Sequence, residues 1–292
     1  MWPLVALRFL QGFGTSGLLS LGVVVVGDLF TGLERRWAMG LNLAGLTIMT
    51  TFAPILGGFL AEGGAFRPFL IFSVTAPVWV LARWLPGRTG LPPPAPPLRH
   101  LRAAFGELRR RRRLSDFVGI LPVSFITLGT FVGLVLTVTP LFLERVFALT
   151  VSQRGMVQAI GSAASSTASI LSGRVGSRLS PSVVLTGSFA LIVTGLVVIG
   201  SAPSLWIVGF GLTLTGLGSG SIFPLLQDFS ASAGPQQYRG ALVGSWVSAN
   251  RLGQATGPVA GTALAQSTGE RTSYFMGAGL IGLVMVIWTP LR

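Results

Sequence analysis

The sequence has no cysteine, no lysine, a single histidine (His100) and only eight acidic residues among 292. Without cysteine, no disulfide, thiolate nucleophile or thiolate metal site can form. One histidine cannot supply the ligand cluster of a zinc site, so no metal and no cofactor are expected. Charged residues make up 10% of the chain, where a soluble domain needs about 25% to cover its surface. That shortage excludes a soluble enzyme of this mass. It also excludes a nucleic-acid-binding domain, despite the net charge of +13. Half of the residues are hydrophobic, which excludes a disordered chain. What remains is a polytopic membrane protein, and uninterrupted apolar stretches of this length read as membrane helices.

Charges and Gly/Pro turns cut the chain into nine spans: 2–27, 37–61, 68–86, 117–143, 155–173, 182–200, 204–227, 240–264 and 272–290. Each is close to the roughly 20 apolar residues that cross a bilayer. The stretch 179–227 carries no charge and is too long for one span. Ser201-Ala202-Pro203-Ser204 is the expected break, because proline cannot continue a helix interior.

Arginines set the orientation, since positive loops stay in the cytoplasm. Fifteen fall in the odd-numbered connections and the C-terminus; four (Arg67, Arg145, Arg154 and Arg271) fall on the opposite side. The C-terminus is therefore expected inside, in the plasma (inner) membrane of a cell. Nine of the fifteen lie between Arg83 and Arg113. That connection begins with a proline-rich spacer, Gly90 to Pro97, and continues as a basic helical stretch through Arg109–Arg113. It reads as a topology anchor, with anionic lipid head groups as the alternative partner.

The sequence repeats itself at an offset of 204. Residues 1–88 and 205–292 are identical at 16 of 88 ungapped positions. The matches fall on restricted residue types. Gly12 and Gly14 align with Gly216 and Gly218, Pro54 with Pro258, Gly57 with Gly261, Arg67 with Arg271, and Trp84-x-Pro86-x-Arg88 with Trp288-x-Pro290-x-Arg292. Spans one to three thus repeat as seven to nine in the same orientation. Spans four to six have no partner, so a six-plus-six bundle with some 90 further residues ahead of Met1 is expected. The organisation read from this is 1–88, part of an N-terminal bundle; 89–114, a cytoplasmic linker; and 115–292, a C-terminal six-span bundle.

Arg8-x-x-Gln11-Gly12-x-Gly14 resembles the fourth-helix motif of the major facilitator superfamily, and Asp28, Arg35 and Arg36 resemble the inner loop that follows it. The fifth-helix antiporter motif, Gly-x8-Gly-x3-Gly-Pro-x2-Gly-Gly, is matched by Gly40, Pro54, Gly57 and Gly58, with Met49 and Ala53 replacing two glycines. The second-half copy is fuller: Gly244, Gly253, Gly257, Pro258 and Gly261, with Thr262 departing. The inner-loop signature is present as Gly173 and Arg178, with Ser177 and Ser180 at its Asp and last Gly positions. The resemblance spans the chain. It implies a parallel repeat of two six-helix bundles that rock about a midplane site, and within the family the fifth-helix motif implies a drug–proton antiporter.

The resemblance also implies roles. Pro54 and Pro258 either kink their helices for packing or seal the cavity against proton leak. The glycines of span seven (Gly209, Gly211, Gly216, Gly218 and Gly220) let helices approach closely. Arg8 either snorkels or serves its motif. Arg251 lies mid-span beside Asn250, too deep to snorkel, and is expected to line the cavity with Gln11, Gln158 and Thr213. No Asp or Glu lies mid-membrane.

The function read from this is transport of a small molecule by alternating access, with efflux and proton coupling implied, by a monomer in lipid. The alternatives are a remnant or a chain with a misassigned start, neither able to transport alone, and a polytopic membrane enzyme. The last lacks paired intramembrane carboxylates for acid–base chemistry. For topology, reporter fusions after residue 100 are expected to read cytoplasmic and those after residue 270 external; the reverse pattern would overturn the orientation.

Overall fold

A computed structural model of the chain describes Met49 and residues 51–64, 66–82, 97–176, 179–235 and 238–288. The chain divides into two compact units, Met1–Phe52 and Ala53–Arg292. Arg8, Gln11, Asp28, Arg35, Gly40 and Arg178 lie outside the described residues.

The described residues are helical, with no strand among them. α1 spans Thr51–Glu62. A 3-10 segment, Arg67–Val74, runs into α2 (Thr75–Ala82). The linker helix α3 is Pro97–Arg110. The bundle proper comprises α4 (Leu114–Phe147), α5 (Val151–Gly176), α6 (Pro181–Ser201), α7 (Leu205–Ser232), α8 (Arg239–Thr268) and α9 (Glu270–Trp288). Spans four to nine therefore appear as helices at the expected places, and the described parts of spans two and three are helical. α4, α6, α7 and α9 are long and apolar enough to cross a membrane. α5 and α8 are long enough but diluted by Ser, Gln and Gly. This is an all-α membrane helix bundle.

Local sequence fixes the helix ends. Ala202, ahead of Pro203, leaves the helical region at φ −60°, ψ 119° and breaks α6 from α7, as the steric clash with a following proline demands. Ser180 caps α6 by accepting the Val183 N–H at 3.4 Å, with Pro181 in the first turn. Gly269, at φ 87°, links α8 to α9 in one residue, a backbone conformation that glycine tolerates best.

Helix packing rests on small residues. A Cβ at Gly218 would stand 2.6 Å from the Ser188 carbonyl oxygen of α6, and one at Gly220 would stand 2.8 Å from the Ser165 carbonyl carbon of α5. Gly211 and Gly216 are crowded in the same way, against α6 and α5 respectively. These glycines of α7 are filled positions, as their packing reading expects, and large side chains could not enter. Outside these seams the bundle presents large apolar side chains, among them Trp206 and Val259, to the surroundings.

α3 docks on the end of the bundle where α4 begins. Ala104 and Leu108 are buried with Phe117, Ala233 and Leu242, and the Phe105 and Phe117 rings meet edge to face with centroids 5.9 Å apart. Burying Leu108 alone contributes about 2 kcal/mol. On the open side Glu107 binds Arg111 and Arg110, and those hydrogen bonds hold its carboxyl below the usual carboxylate range. A depressed carboxylate stabilises the fold above its unfolded pKa and loses that effect as pH falls through the folded value.

Amide exchange protection of α3 is therefore expected to stay constant from pH 7 to 5 and to weaken only below the unperturbed value of 4.5; Glu107→Gln should remove that dependence. For packing, Gly218→Ala is expected to lower stability by about 1–3 kcal/mol in detergent melts. Gly279→Ala, where nothing lies within 4 Å, should be neutral or stabilising by up to about 1 kcal/mol.

Candidate functional site

The second-half glycine motif lies in a backbone seam between α4 and α8. Phe125, Gly129 and Gly133 on α4 meet Gly253, Gly257 and Gly261 on α8, each set spaced by four residues so that it forms one stripe. A Cβ at Gly133 would stand 2.9 Å from the Gly257 carbonyl carbon, and one at Gly261 would stand 2.8 Å from the Gly133 carbonyl oxygen. Pro258 sits inside α8 beside this seam. Gly244, by contrast, has nothing within 4 Å. In the first-half copy, Gly58 of α1 faces Val151 and Ser152 of α5, with a Cβ there 2.8 Å from the Val151 carbonyl oxygen, and Gly155 of α5 packs on Pro54. Gly57 has open space around it.

α4 is irregular beside the seam. Phe131–Val138 winds as a π-helix, with the Thr139 N–H reaching the Leu134 carbonyl five residues back. The Thr139 hydroxyl adds a second bond to the same carbonyl at 3.1 Å and touches the Tyr274 hydroxyl at 2.9 Å. In this register the Val135 carbonyl would need the N–H of residue 140. That residue is Pro140, which has none. Gln158 of α5 fills the gap, donating from Nε2 to the Val135 carbonyl at 2.8 Å. The other end of its amide, Oε1, is buried without a partner.

Below the seam α4 and α8 share a polar file. The Trp246 indole N–H donates to the Ser124 hydroxyl at 2.8 Å. One turn on, Thr127 Oγ1 and Asn250 Oδ1 are both buried and unpartnered. Unpaired buried polar atoms cost about 1–3 kcal/mol each, so they mark places where the bundle is not optimised for stability.

Arg251 stands on a different face of α8. It is exposed and donates to Gln254 of its own helix at 2.7 Å. It follows Gly244 by seven residues and so shares that residue's face. Gly244, Ser245, Ser248 and Leu252 line a groove of about 780 Å³ with Phe105 and Leu121. The described carboxylates (Glu62, Glu107, Asp116, Glu144, Asp228 and Glu270) all stand at or near helix ends. Those at the Phe147 end are paired: Arg145 with Glu270 at 2.6 Å and Arg154 with Glu144.

The structure therefore separates the expected cavity residues. Gln158 is buried against α4, Asn250 faces the polar file, Arg251 is on the open face, and the Thr213 hydroxyl bonds the Gly209 carbonyl at 2.9 Å within α7. Gly173 is in the last turn of α5. Ser124, Thr127 and Trp246 escape a reading by residue type. The signal available for them was spacing, since 246 and 250 are one turn apart and both polar-capable.

A family model described as Major Facilitator Superfamily matches residues 1–244 and 124–292. The multidrug resistance protein MdtG of Citrobacter koseri is 24% identical over 300 residues, covering all of this chain and 72% of that protein. MdtG of Salmonella choleraesuis is 25% identical over 305 residues with the same coverage. Among solved structures, that of the human organic anion transporter MFSD10 (TETRAN) superposes with a TM-score of 0.67 at 22% identity, covering 94% of this chain and 68% of that one.

The tie made by Gln158 is open to test. Gln158→Leu is expected to cost about 1–3 kcal/mol by stranding the Val135 carbonyl. Gln158→Glu should be as damaging at neutral pH, where a carboxylate cannot donate. It should recover in acid, where the protonated acid can. Equal melting of Gln158→Glu at both pH values would refute that role.

Proposed function

Because the chain belongs to the Major Facilitator Superfamily and is a membrane transporter rather than an enzyme, we propose that it exports small lipophilic molecules bearing a negative charge. The observation that carries this is Arg251. A guanidinium within a membrane helix is costly unless paired or hydrated, yet the described residues offer Arg251 only the neutral Gln254. It stands about two turns along α8 from Gly244, which with Ser245 and Ser248 lines an apolar groove. Apolar walls with a few polar groups suit amphipathic ligands, and the cation selects their charge. The multidrug resistance names of the relatives support outward transport.

Alternating access then uses the α4–α8 seam. Backbones that touch through glycine have no interlocking side chains to unpack, and Pro258 and the π-helix weaken the hydrogen-bond ladder beside it. Proton coupling by direct competition would need a carboxylate in the cavity, and the described carboxylates stand at or near helix ends. Release of the anion from Arg251 as the helices shift needs no titrating group. The unit acts as a monomer.

In cells, expression is expected to lower retention of a fluorescent lipophilic anion. Arg251→Ala should cut that efflux about tenfold or more, the loss expected for one charged contact, and leave a neutral dye unaffected. Unchanged anion efflux by Arg251→Ala would sink the proposal, and loss of efflux on adding a protonophore would return the coupling to protons.

A further inference from the structure

Six arginines and two carboxylates fall between Leu101 and Asp116. α3 turns Ala104 and Leu108 into the bundle, which leaves Arg102 and Arg109 exposed on its open side. The arginine run does not continue the helix. The Arg113 N–H returns to the Leu108 carbonyl at 3.0 Å, and Arg112 takes a φ of 57°. This is a helix end of the kind that glycine usually makes, here carried by arginine. It delivers the chain into α4 at Leu114 with no spacer. Arg112 and Arg113 therefore stand at the threshold of a membrane span.

The charges are unevenly used. Glu107 takes Arg110 at 2.8 Å and Arg111 at 2.7 Å. Among the described residues, Arg102, Arg109, Arg112 and Arg113 form no ion pair. Between Arg111 and Arg113 on one wall and Ser232, Gly234 and Pro235 on the other lies a groove of about 350 Å³, with no carboxylate in its lining.

We propose that this groove, with Arg112 beside it, is a docking site for the phosphate of an anionic phospholipid. Guanidinium groups match phosphate oxygens in pairs. The level is right, because the site adjoins the first turn of a spanning helix, where head groups lie. Supply favours lipid too, since the anionic leaflet holds such phosphates at the surface and draws basic segments to it. A topological anchor requires only the number of positive charges. It does not require a turn held in an unfavourable backbone conformation beside a carboxylate-free groove. A lipid bound there would bridge α3 to the end of α7, holding the linker on the bundle.

The test is native mass spectrometry of the full chain in neutral detergent, titrated with phosphatidylglycerol or with phosphatidylcholine of the same acyl chains. Each arginine near an anionic surface contributes about fivefold to binding. The unaltered chain should retain phosphatidylglycerol about tenfold or more tighter than phosphatidylcholine. R112Q/R113Q should abolish that preference, since two fivefold contributions together make about 25-fold, with an unchanged melting temperature in lipid-free detergent. R112K/R113K should keep part of it, and R145Q, at the other end of the bundle, should keep all of it. If R112Q/R113Q does not fold, the single R113Q, which lines the groove, serves as the reading, with a loss of about fivefold. Equal retention of the two lipids, or full preference in the glutamine variants, would overturn the site and leave the arginines as a topology signal. Displacement of phosphatidylglycerol by millimolar inorganic phosphate would overturn it in favour of a soluble anion.

Discussion

Backbone contact between helices is the constraint on which the rest depends. In a bilayer the lipid tails are as apolar as leucine, so burying leucine against leucine gains little, and association must come from close packing. This chain meets the constraint with glycine. α4 touches α8 through Gly129, Gly133, Gly253, Gly257 and Gly261, and α7 touches α5 and α6 through alternate glycines of one helix. The same constraint explains the composition. With 40 glycines and few charges, the chain would make poor soluble helices, yet it makes helices that approach closely.

Close packing fixes distance but not register. Interdigitated side chains lock helices in one relative position, whereas two glycine stripes form smooth surfaces with several near-equivalent fits. The irregularities cluster at that surface. Gly133 lies within the π-helix Phe131–Val138, and Pro258 follows Gly257. Each removes regular backbone hydrogen bonds where they would otherwise stiffen a long helix. Gln158 partly restores what Pro140 takes away, through a side chain that can let go more easily than a backbone ladder. A fold that tolerates two arrangements of one seam is what rocking bundles need.

Much of this was legible in the sequence because the membrane forces it. Span limits follow from apolar length and from Gly/Pro breaks, and the turn at Ala202-Pro203 falls where proline sterics put it. The glycines of span seven could be read as contact surfaces because only glycine permits backbone approach. What could not be read was which neighbour each face meets. Gln158 looked like a cavity residue, being polar in an apolar helix. Its partner is a carbonyl freed by a π-register that depends on Thr139 and Pro140, on another helix 23 residues away in sequence. Asn250 and Arg251 are adjacent, yet about 100° apart around a helix, so one is buried and the other open. Adjacency suggested a shared role, and helical geometry separates them.

The two ends of the bundle show why motion would concentrate in the seam. At the Phe147 end, Arg145 pairs with Glu270, Arg154 with Glu144, and Arg271 lies 5.4 Å over the Phe142 ring while donating to the Gly200 carbonyl at 3.1 Å. Each exposed pair is worth only about 0–1 kcal/mol, but together they join α4, α5, α6 and α9 into one cap. The buried Thr139–Tyr274 contact lies just beneath it. At the opposite end α3 clamps α4, α7 and α8 through Leu108 and Phe117. Both ends are held by directional or interlocking contacts. Between them α4 and α8 meet backbone to backbone along the glycine stripe, with the Trp246–Ser124 hydrogen bond at its edge. A displacement imposed anywhere on such a bundle is taken up where resistance is least, and here that is the glycine seam beside Pro258.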